Sequence, residues 1–533
     1  MTRSDSIRTT EQDYVTVTAV VTRAMRFGGI VGKLFKFQAD GLQQLEMHER
    51  ETGDKSALIG DEMGLGKTVE AIVLDSFRRR KHQCDYTAQT LIVTQTSVMG
   101  GWEKHYKDWA PWLKVMVIDR KNRDKFKKAL TARDAKGNPE WHIFICHWQV
   151  LRFIAEDLRQ VDWFHVIGDE IQNIKNRKAQ QTQAFKKLKT YYKTGLSGTW
   201  ADNLPADAWS VLNWLWPDYY SSYWRFFNGA VLLKQEEVYV KGVLKTITKQ
   251  CGFADPQAIW DSMGKGYLRR LKVDVWEDLP EKTYQDLPVN LHPQQRRTYD
   301  MMRNDMLTWV GQNEDQPLAA QSVIAKLVRL QQFAVAYGEM QKMVRTRKYS
   351  EYQLAYMRSK GEDTGDGTYK EEYYQLVLTE PSSKLDAAID LIEETNGSVV
   401  VFGQSKQAIN LLAKRLQASG VPTSVLTGDT TQKNRDLAVS EFQSGTTRVF
   451  VSTIKAGGVG ITLTAASTAI FLDWDWSPTK NQQAEDRIHR LGQKNACTYI
   501  RLVARDTVDR ERNERIELKW EWLKQVLNPP KGR

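Results

Sequence analysis

The chain has 533 residues, 41% hydrophobic and 26% charged, with a formal net charge of +11. That length suggests roughly three to four domain-sized units and ample material for buried cores, which excludes a globally disordered chain. Four separated cysteines, Cys84, Cys146, Cys251 and Cys497, form no CxxC pair and argue against a zinc ribbon or a secreted disulfide framework. The surplus of Lys and Arg is compatible with a polyanionic partner and equally with a basic protein that has none.

Residues 1–33 carry no motif and read as an N-terminal extension without the apolar core of a signal peptide. A helical pattern runs from Leu34 to about Glu49. Short apolar runs then alternate with helix-like segments: Ala57-Leu-Ile, Leu91-Ile-Val, Ile143-Phe-Ile-Cys and Phe164-His-Val-Ile. Such runs, bounded by polar or Gly positions, predict strands buried on both faces of a parallel sheet. From about 205 to 380 the chain is rich in Trp, Tyr, Lys, Arg and Gln, mostly helical in pattern and with few strand candidates. Alternation resumes with Ser398-Val-Val-Val-Phe, Ser424-Val-Leu, Arg448-Val-Phe-Val, Ala469-Ile-Phe-Leu and Tyr499-Ile-Arg-Leu-Val. The predicted fold is α/β, with two parallel-sheet blocks separated by a helical insertion. No run of 18 uncharged apolar residues predicts a membrane span. The expected setting is therefore intracellular: the cytoplasm or nucleoid of a prokaryotic or phage-infected cell, or the nucleus of a eukaryotic one.

The sharpest signal is Gly60-Asp-Glu-Met-Gly-Leu-Gly-Lys-Thr68, which follows a predicted strand and opens a predicted helix. A P-loop needs that context: backbone N–H groups and a helix N-terminus meet phosphate, Lys67 reaches the β/γ-phosphates and the Thr68 hydroxyl ligates Mg²⁺. Gly64 and Gly66 let the main chain bend close to the phosphates. The first position of the strict GxxxxGK[ST] pattern is Asp61 rather than Gly. Downstream, His165-Val-Ile-Gly-Asp169-Glu170 supplies acids at the end of an apolar run, Asp169 for the metal and Glu170 for polarising the attacking water. Gln483, Arg487 and Arg490 follow at intervals of four and three, one stripe if the segment is helical. Guanidinium groups there suit a phosphoryl transition state, although Glu485 and Asp486 also allow a charged surface helix.

In order, these segments resemble the Snf2 family of superfamily 2 helicase-like ATPases. The adenine-reading motif is similar to Leu34-Phe-Lys-Phe-Gln38, motif I to Asp61–Thr68 with Gly64, Leu65 and Gly66, and motif Ia to Leu91–Trp102. Motif II resembles Asp169-Glu-Ile-Gln-Asn-Ile-Lys-Asn176, and motif III Leu196-Ser-Gly-Thr199 with Asn203 and Trp209 after it. Tyr267-Leu-Arg-Arg-Leu-Lys-Val-Asp-Val275 and Leu279-Pro-Glu-Lys-Thr283 resemble the family's entry into a second lobe, which Ser382-Ser-Lys-Leu385 opens. Motif IV resembles Val401–Gln404, motif V Ser452–Gly460 and motif VI Gln483–Gln493. The chain departs from the family at Trp200 and Gln95, where Pro is usual, and in an acid box reading DEIQ. Residues 226–266 match no motif.

The resemblance implies two RecA-like P-loop lobes with parallel sheets plus family-specific helical insertions: lobe 1 over 34–215, insertions and linker over 216–380, lobe 2 over 381–510, and a C-terminal helix and tail over 511–533. It implies ATP and Mg²⁺ in the cleft, with Gln38 on the adenine edge. Lys67, Thr68, Asp169 and Glu170 would face Gln483, Arg487 and Arg490, and Ser197 and Thr199 would couple the nucleotide and DNA sites. Backbone contacts to DNA would come from Thr94, Gln404, Ser452, Thr453 and Lys455. Two basic tracts, seven Lys/Arg without an acid in 171–193 and Lys342, Arg345, Arg347 and Lys348, fit either a DNA track or a solvated surface. The implied activity is that of a monomeric, sequence-independent double-stranded DNA translocase. A strand-separating helicase, for which no hairpin or wedge is evident in the sequence, and a fork-remodelling annealing helicase are the alternatives.

Overall fold

The computed structural model describes residues 30–118, 122–202, 204–240, 243–276, 279–312, 319–360, 366–458, 460–490 and 492–530. Most of the expected N-terminal extension, Asn203 and the last three residues of the tail lie outside them.

The first α/β block is a seven-stranded sheet. Its strands are β1 (Ser56–Ile59), β2 (Thr90–Thr94), β3 (Val115–Ile118), β4 (Ile143–His147), β5 (Trp163–Asp169) and β6 (Thr190–Leu196). Two hairpin strands follow in the chain, β7 (Val231–Val240) and β8 (Val243–Phe253), and then the short β9 (Tyr267–Leu268), which returns to the sheet. The spatial order is β3-β4-β2-β5-β6-β1-β9, and every pairing is parallel. Alternate residues feed two cores: Leu58, Leu91, Val93, Phe144 and Val166 on one face, and Ala57, Ile59, Ile92, Ile145 and Ile167 on the other. Burial on both faces is why these strands read as unbroken apolar runs.

The second block has β10 (Lys282–Val289), then the hairpin strands β11 (Tyr337–Lys348) and β12 (Thr368–Thr379), then β13 (Ser398–Gly403), β14 (Thr423–Leu426), β15 (Val449–Thr453), β16 (Ala466–Phe471) and β17 (Cys497–Ala504). Its six-stranded sheet, in the order β10-β17-β16-β13-β15-β14, is also parallel throughout. Val399, Val401, Val449 and Ile470 line one core, and Val400, Phe402, Phe450 and Phe471 the other. The two sheets are the RecA-like lobes.

The segment 205–380 departs from its helical reading. It holds helices Pro293–Gln312 and Ala319–Val335, but also the antiparallel hairpins β7–β8 and β11–β12. Neither hairpin belongs to a parallel sheet, and strands such as Lys234-Gln-Glu-Glu-Val-Tyr-Val are not apolar runs. A pattern search tuned to doubly buried strands passes over them.

The C-terminal helix, Val508–Leu527, joins the lobes. Val508 packs in the second lobe's core, whereas Trp522, Leu523, Val526 and Leu527 are buried in the first lobe's. Trp260 donates its indole N–H to Val526 O at 2.7 Å.

Candidate nucleotide site between the two lobes

The glycine turn at the C-terminal end of β1 leads into the helix Lys67–Lys81. Gly64 and Gly66 have φ of +91° and +88°, the left-handed region. A Cβ on Gly66 would stand 2.4 Å from Gln38 Nε2. Lys67 Nζ donates to Asp61 O at 2.7 Å and Glu62 O at 3.2 Å, so the ammonium is held over its own loop. Burial lowers its pKa, opposed by Glu170, Asp61 and Asp169. Thr68, half-buried, follows Lys67 in the first turn. Gln38 is buried and donates to Leu65 O at 3.0 Å, while its Oε1 accepts from Phe35 N. Its amide thus braces the phosphate-binding turn.

The acid box lies at the C-terminal end of β5, two strands from β1 in the sheet, where open parallel sheets form their ligand crevice. Asp169 Oδ2 accepts from Thr94 Oγ1 at 2.6 Å and from Trp102 Nε1 at 2.9 Å. Glu170 has φ of +50° and accepts from Gln172 Nε2 at 2.7 Å. Burial raises its pKa and the neighbouring Asp169 adds to the rise, while Lys67 and Arg487 oppose it. A half-buried carboxyl with a raised pKa beside a phosphate turn is suited to accept a proton. Among the described residues no cluster of three His, Cys, Asp or Glu forms a protein-only metal cage. One hydroxyl (Thr68) and one carboxylate (Asp169) are the hard-oxygen donors that suit Mg²⁺ shared with phosphate oxygens.

The arginines reach this cleft by a different route from the one their spacing suggests. The helix Pro478–Glu485 ends before them, so Arg487 and Arg490 lie in turns and not on a helical stripe. Shared acceptors gather them: Ile461 O receives Arg487 Nη1 at 3.4 Å and Arg490 Nη1 at 3.3 Å. Gly458 O takes Arg487 Nη2 at 2.7 Å, and Thr462 Oγ1 takes Arg490 Nη1 at 3.1 Å. Gln483 is buried at the foot of the turn, its carbonyl accepting from Arg487 Nε at 3.0 Å. Burial, then Arg490, lowers the Arg487 pKa to about 10, opposed first by the adjacent Asp486 and then by Glu170 across the cleft. Arg490 Cγ lies 3.5 Å from the Cβ position of Gly64, so the second lobe's arginine turn abuts the first lobe's phosphate loop. Glu485 and Asp486 are buried too: Tyr284 OH donates to Glu485 at 2.8 Å, and Asp486 accepts from Lys272 at 2.7 Å and Lys282 at 3.1 Å. That excludes the surface-helix reading.

Sequence reasoning gave Asp61, Arg269 and Arg270 no part in holding the loop in place, which the structure assigns to them. Asp61, the departure from the strict pattern, is fully buried and accepts from the backbone N–H and guanidinium of Arg270. The same guanidinium reaches Glu70 in the loop's helix and Phe37 O near Gln38. Arg269 donates to Gly60 O and Gly198 O. An acid where the pattern's first Gly would stand and two arginines after a short strand were the available signals. Trp200 is likewise buried, its indole donating to Tyr267 OH at 3.0 Å.

Ser197 and Thr199 lie buried after β6, linked by a 3.0 Å bond from Thr199 N to Ser197 Oγ. Near them Asp202 crosses to the second lobe, accepting from Ser477 Oγ at 3.2 Å and Thr479 Oγ1 at 3.1 Å.

The expected DNA contacts separate into two groups. Thr94 is buried with its hydroxyl on Asp169, and Ser452 is buried with its hydroxyl on Leu426 O and Thr453 O. Thr453 caps the helix Ile454–Gly457 through Ala456 N, and the Gln404 amide is held by Asp473 and Trp474 O. Lys455 is exposed. The basic tracts are also partly used internally. Lys175 pairs with Asp202, Lys189 with Asp162, Arg177 stacks on Tyr223, Lys186 donates to Asn213 and Lys193 to Trp214 O, whereas Lys178 and Lys187 are exposed. On β11, Lys342, Arg345 and Arg347 pair across the hairpin with Glu372 and Glu371.

Two parallel-sheet lobes meeting over a P-loop, with an acid box on one and an arginine turn on the other, define a two-lobe P-loop protein of the RecA-like class. Residues 37–337 match the SNF2-related domain and residues 383–492 the helicase conserved C-terminal domain. The chain belongs to the SNF2-related family. It is 25% identical over 503 residues to an uncharacterized ATP-dependent helicase of Mycoplasma genitalium, covering 93% of this chain and 42% of that protein. It is 26% identical over 524 residues to the human DNA excision repair protein ERCC-6, covering 95% of this chain and 33% of that one. The chain thus spans about a third to two fifths of these relatives' length. Among solved structures, the Sulfolobus solfataricus SWI2/SNF2 ATPase core in complex with double-stranded DNA aligns at 21% identity and a TM-score of 0.39, over 94% of this chain and 98% of that one.

Proposed function

We propose that this chain is an ATP-driven motor that moves along double-stranded DNA, remodelling the duplex or displacing what is bound to it. The observation that carries the reading is that Arg490 lies beside the phosphate loop at Gly64 while sharing the Ile461 carbonyl with Arg487, which brings both arginines to the first lobe's loop. ATP between these surfaces would touch Lys67 and Thr68 on one lobe and Arg487 and Arg490 on the other, with Glu170 taking the proton of the attacking water. Mg²⁺ held by Thr68 and Asp169 would neutralise charge on the phosphates. Loss of the γ-phosphate removes the group that both lobes attract, so hydrolysis would release the closed arrangement. Gln38 would sense the base from its place against Leu65 O, and Ser197 and Thr199 would report nucleotide state toward Asp202.

For the DNA track, Lys455 is the favoured side-chain contact, because it is exposed where Thr94 and Ser452 are buried. Residues 34–215 and 381–510 would be the two lobes, with β9 and β10 contributed from the intervening segment. The chain would act as a monomer inside the cell; no helix among the described residues is long and apolar enough to cross a membrane.

The hairpins β7–β8 and β11–β12 favour a second reading, strand separation, since a wedge needs such an element. An ATPase and unwinding assay across duplex, single-stranded, forked and branched DNA tests both. Stimulation by duplex without unwinding supports the translocase, equal stimulation by single strands with processive unwinding supports the helicase, and preference for branched DNA supports fork remodelling.

A further inference from the structure

The segment Arg269-Arg-Leu-Lys272 runs beside the phosphate loop and is bonded to it at each step. Gly60 N donates to Leu268 O at 2.7 Å, Glu62 N to Arg270 O at 2.9 Å, and Lys272 N to Glu62 Oε2 at 2.8 Å. The Lys272 main chain is therefore part of the first lobe's loop scaffold. Its side chain goes the other way. Nζ donates to Asp486 Oδ1 at 2.7 Å and to His489 O at 2.8 Å, both in the second lobe's arginine turn. Those two residues immediately precede Arg487 and Arg490 in sequence.

Lys272 and Asp486 are both almost wholly buried, at 1% and 2% exposure. Separating an ammonium and a carboxylate in such a place leaves an uncompensated buried charge, so the contact is a strut that favours the closed arrangement with or without nucleotide, against which hydrolysis must work. Lys282, at the start of β10, also donates to Asp486, which anchors the carboxylate within its own lobe; Lys272 makes the crossing. The Cβ position of Gly64 lies 3.6 Å from Lys272 Cε and 3.5 Å from Arg490 Cγ, so loop, strut and arginine meet at one point. Because both guanidinium groups are already bonded to the carbonyls around Ile461, the turn moves as a unit and the strut sets where it stands.

We propose that Lys272 is the positioning residue that sets Arg487 and Arg490 against the phosphate loop, acting through Asp486 without touching nucleotide. The proposal rests on the ATPase reading for its kinetic consequence, but not for its geometric one. In kinetics, Lys272→Met should lower kcat by about 100-fold, the cost of misplacing a catalytic group by about 1 Å, with the KM for ATP unchanged. Lys272→Arg should recover part of that loss. A structural role alone would lower the unfolding midpoint and leave kcat per folded molecule intact.

The geometric test needs no turnover. Spin labels at Lys128→Cys and Lys414→Cys, in a chain with Cys84 and Cys251 replaced by Ser, report the distance between lobes. Lys272→Met should broaden that distribution without nucleotide, and Lys272→Arg should keep it narrow. If Lys272→Met proves too unstable to purify, Lys272→Met with Asp486→Asn, whose amide oxygen can still accept from Lys282, should fold and show the same broadening. An unchanged distribution in the folded variant, or a wild-type kcat, overturns the proposal. A parent chain without ATPase activity but with the predicted broadening overturns the ATPase reading and keeps the strut.

Discussion

Trp200 donates its indole N–H to the Tyr267 hydroxyl at 3.0 Å, and that hydroxyl donates onward to Leu527 O at 2.7 Å. The residue that departs from the family pattern after motif III is thus wired to the last turn of the C-terminal helix. Tyr267→Phe leaves a buried indole N–H and a buried helix-end carbonyl unpaired, a cost of about 1–3 kcal/mol for each group so abandoned. Urea unfolding of the variant should show a lower midpoint with the affinity for ATP unchanged. An unchanged midpoint would mean that water replaces the hydroxyl.

Thr94 was expected on the DNA track and instead serves Asp169. Thr94→Val removes one of the two donors on Asp169 Oδ2, the other being Trp102. Hydrogen bonds to charged groups contribute about 1.5–3 kcal/mol, so kcat should fall on the order of tenfold to a hundredfold. Affinity for duplex DNA, read by fluorescence anisotropy, should stay within about twofold, far less than one removed charge-assisted contact would change it. Weakened DNA binding with normal turnover would return Thr94 to the track.

Glu170 has a pKa above the ordinary carboxylate range, because burial and Asp169 both disfavour its charge. A proton acceptor must be ionised to work, so kcat should decline on the acid side at a higher pH than an ordinary carboxylate would dictate. Steady-state kcat measured across pH should show that limb displaced upward from where an ordinary carboxylate would put it. Glu170→Gln and Lys67→Ala should each abolish turnover while the far-ultraviolet circular dichroism stays unchanged. A variant with normal turnover would remove its residue from the site.

Beneath the phosphate-loop helix, His165 is fully buried between Asp75, at 2.9 Å, and Thr194, at 2.8 Å. Burial, with Arg78 adding to it, lowers its pKa to about 4, although Asp75 pulls the other way. The unfolded chain therefore binds a proton that the folded chain refuses between about pH 6.5 and 4. Stability from this group is fully present above about 6.5 and is lost as pH falls toward 4. His142 and His489, also lowered to about 4 by burial, act in the same direction. Thermal unfolding across that window should show a falling midpoint, with a shallower slope in His165→Gln.

The order of local signals was legible along the chain. Doubly buried strands announce themselves as apolar runs, and a glycine turn followed by Lys67-Thr68 carries its own chemistry, because phosphate binding needs that backbone at a helix start. The acid box and the arginines could be named for the same reason: each is a short segment whose residue types are dictated by the charge it faces. The hairpins β7–β8 and β11–β12 were not legible, since strands outside the doubly buried sheets carry no continuous apolar run.

What the linear chain could not contain was which partner each group meets. Arg487 and Arg490 come together on Ile461 O and not on a helical stripe, and Thr94 turns inward to Asp169. Arg270 closes on Asp61 from more than 200 residues away, and Lys272 spans from Glu62 to Asp486. Hydrogen bonds and ion pairs act over about 3 Å, so their partners are decided only when the lobes are packed together and water is excluded.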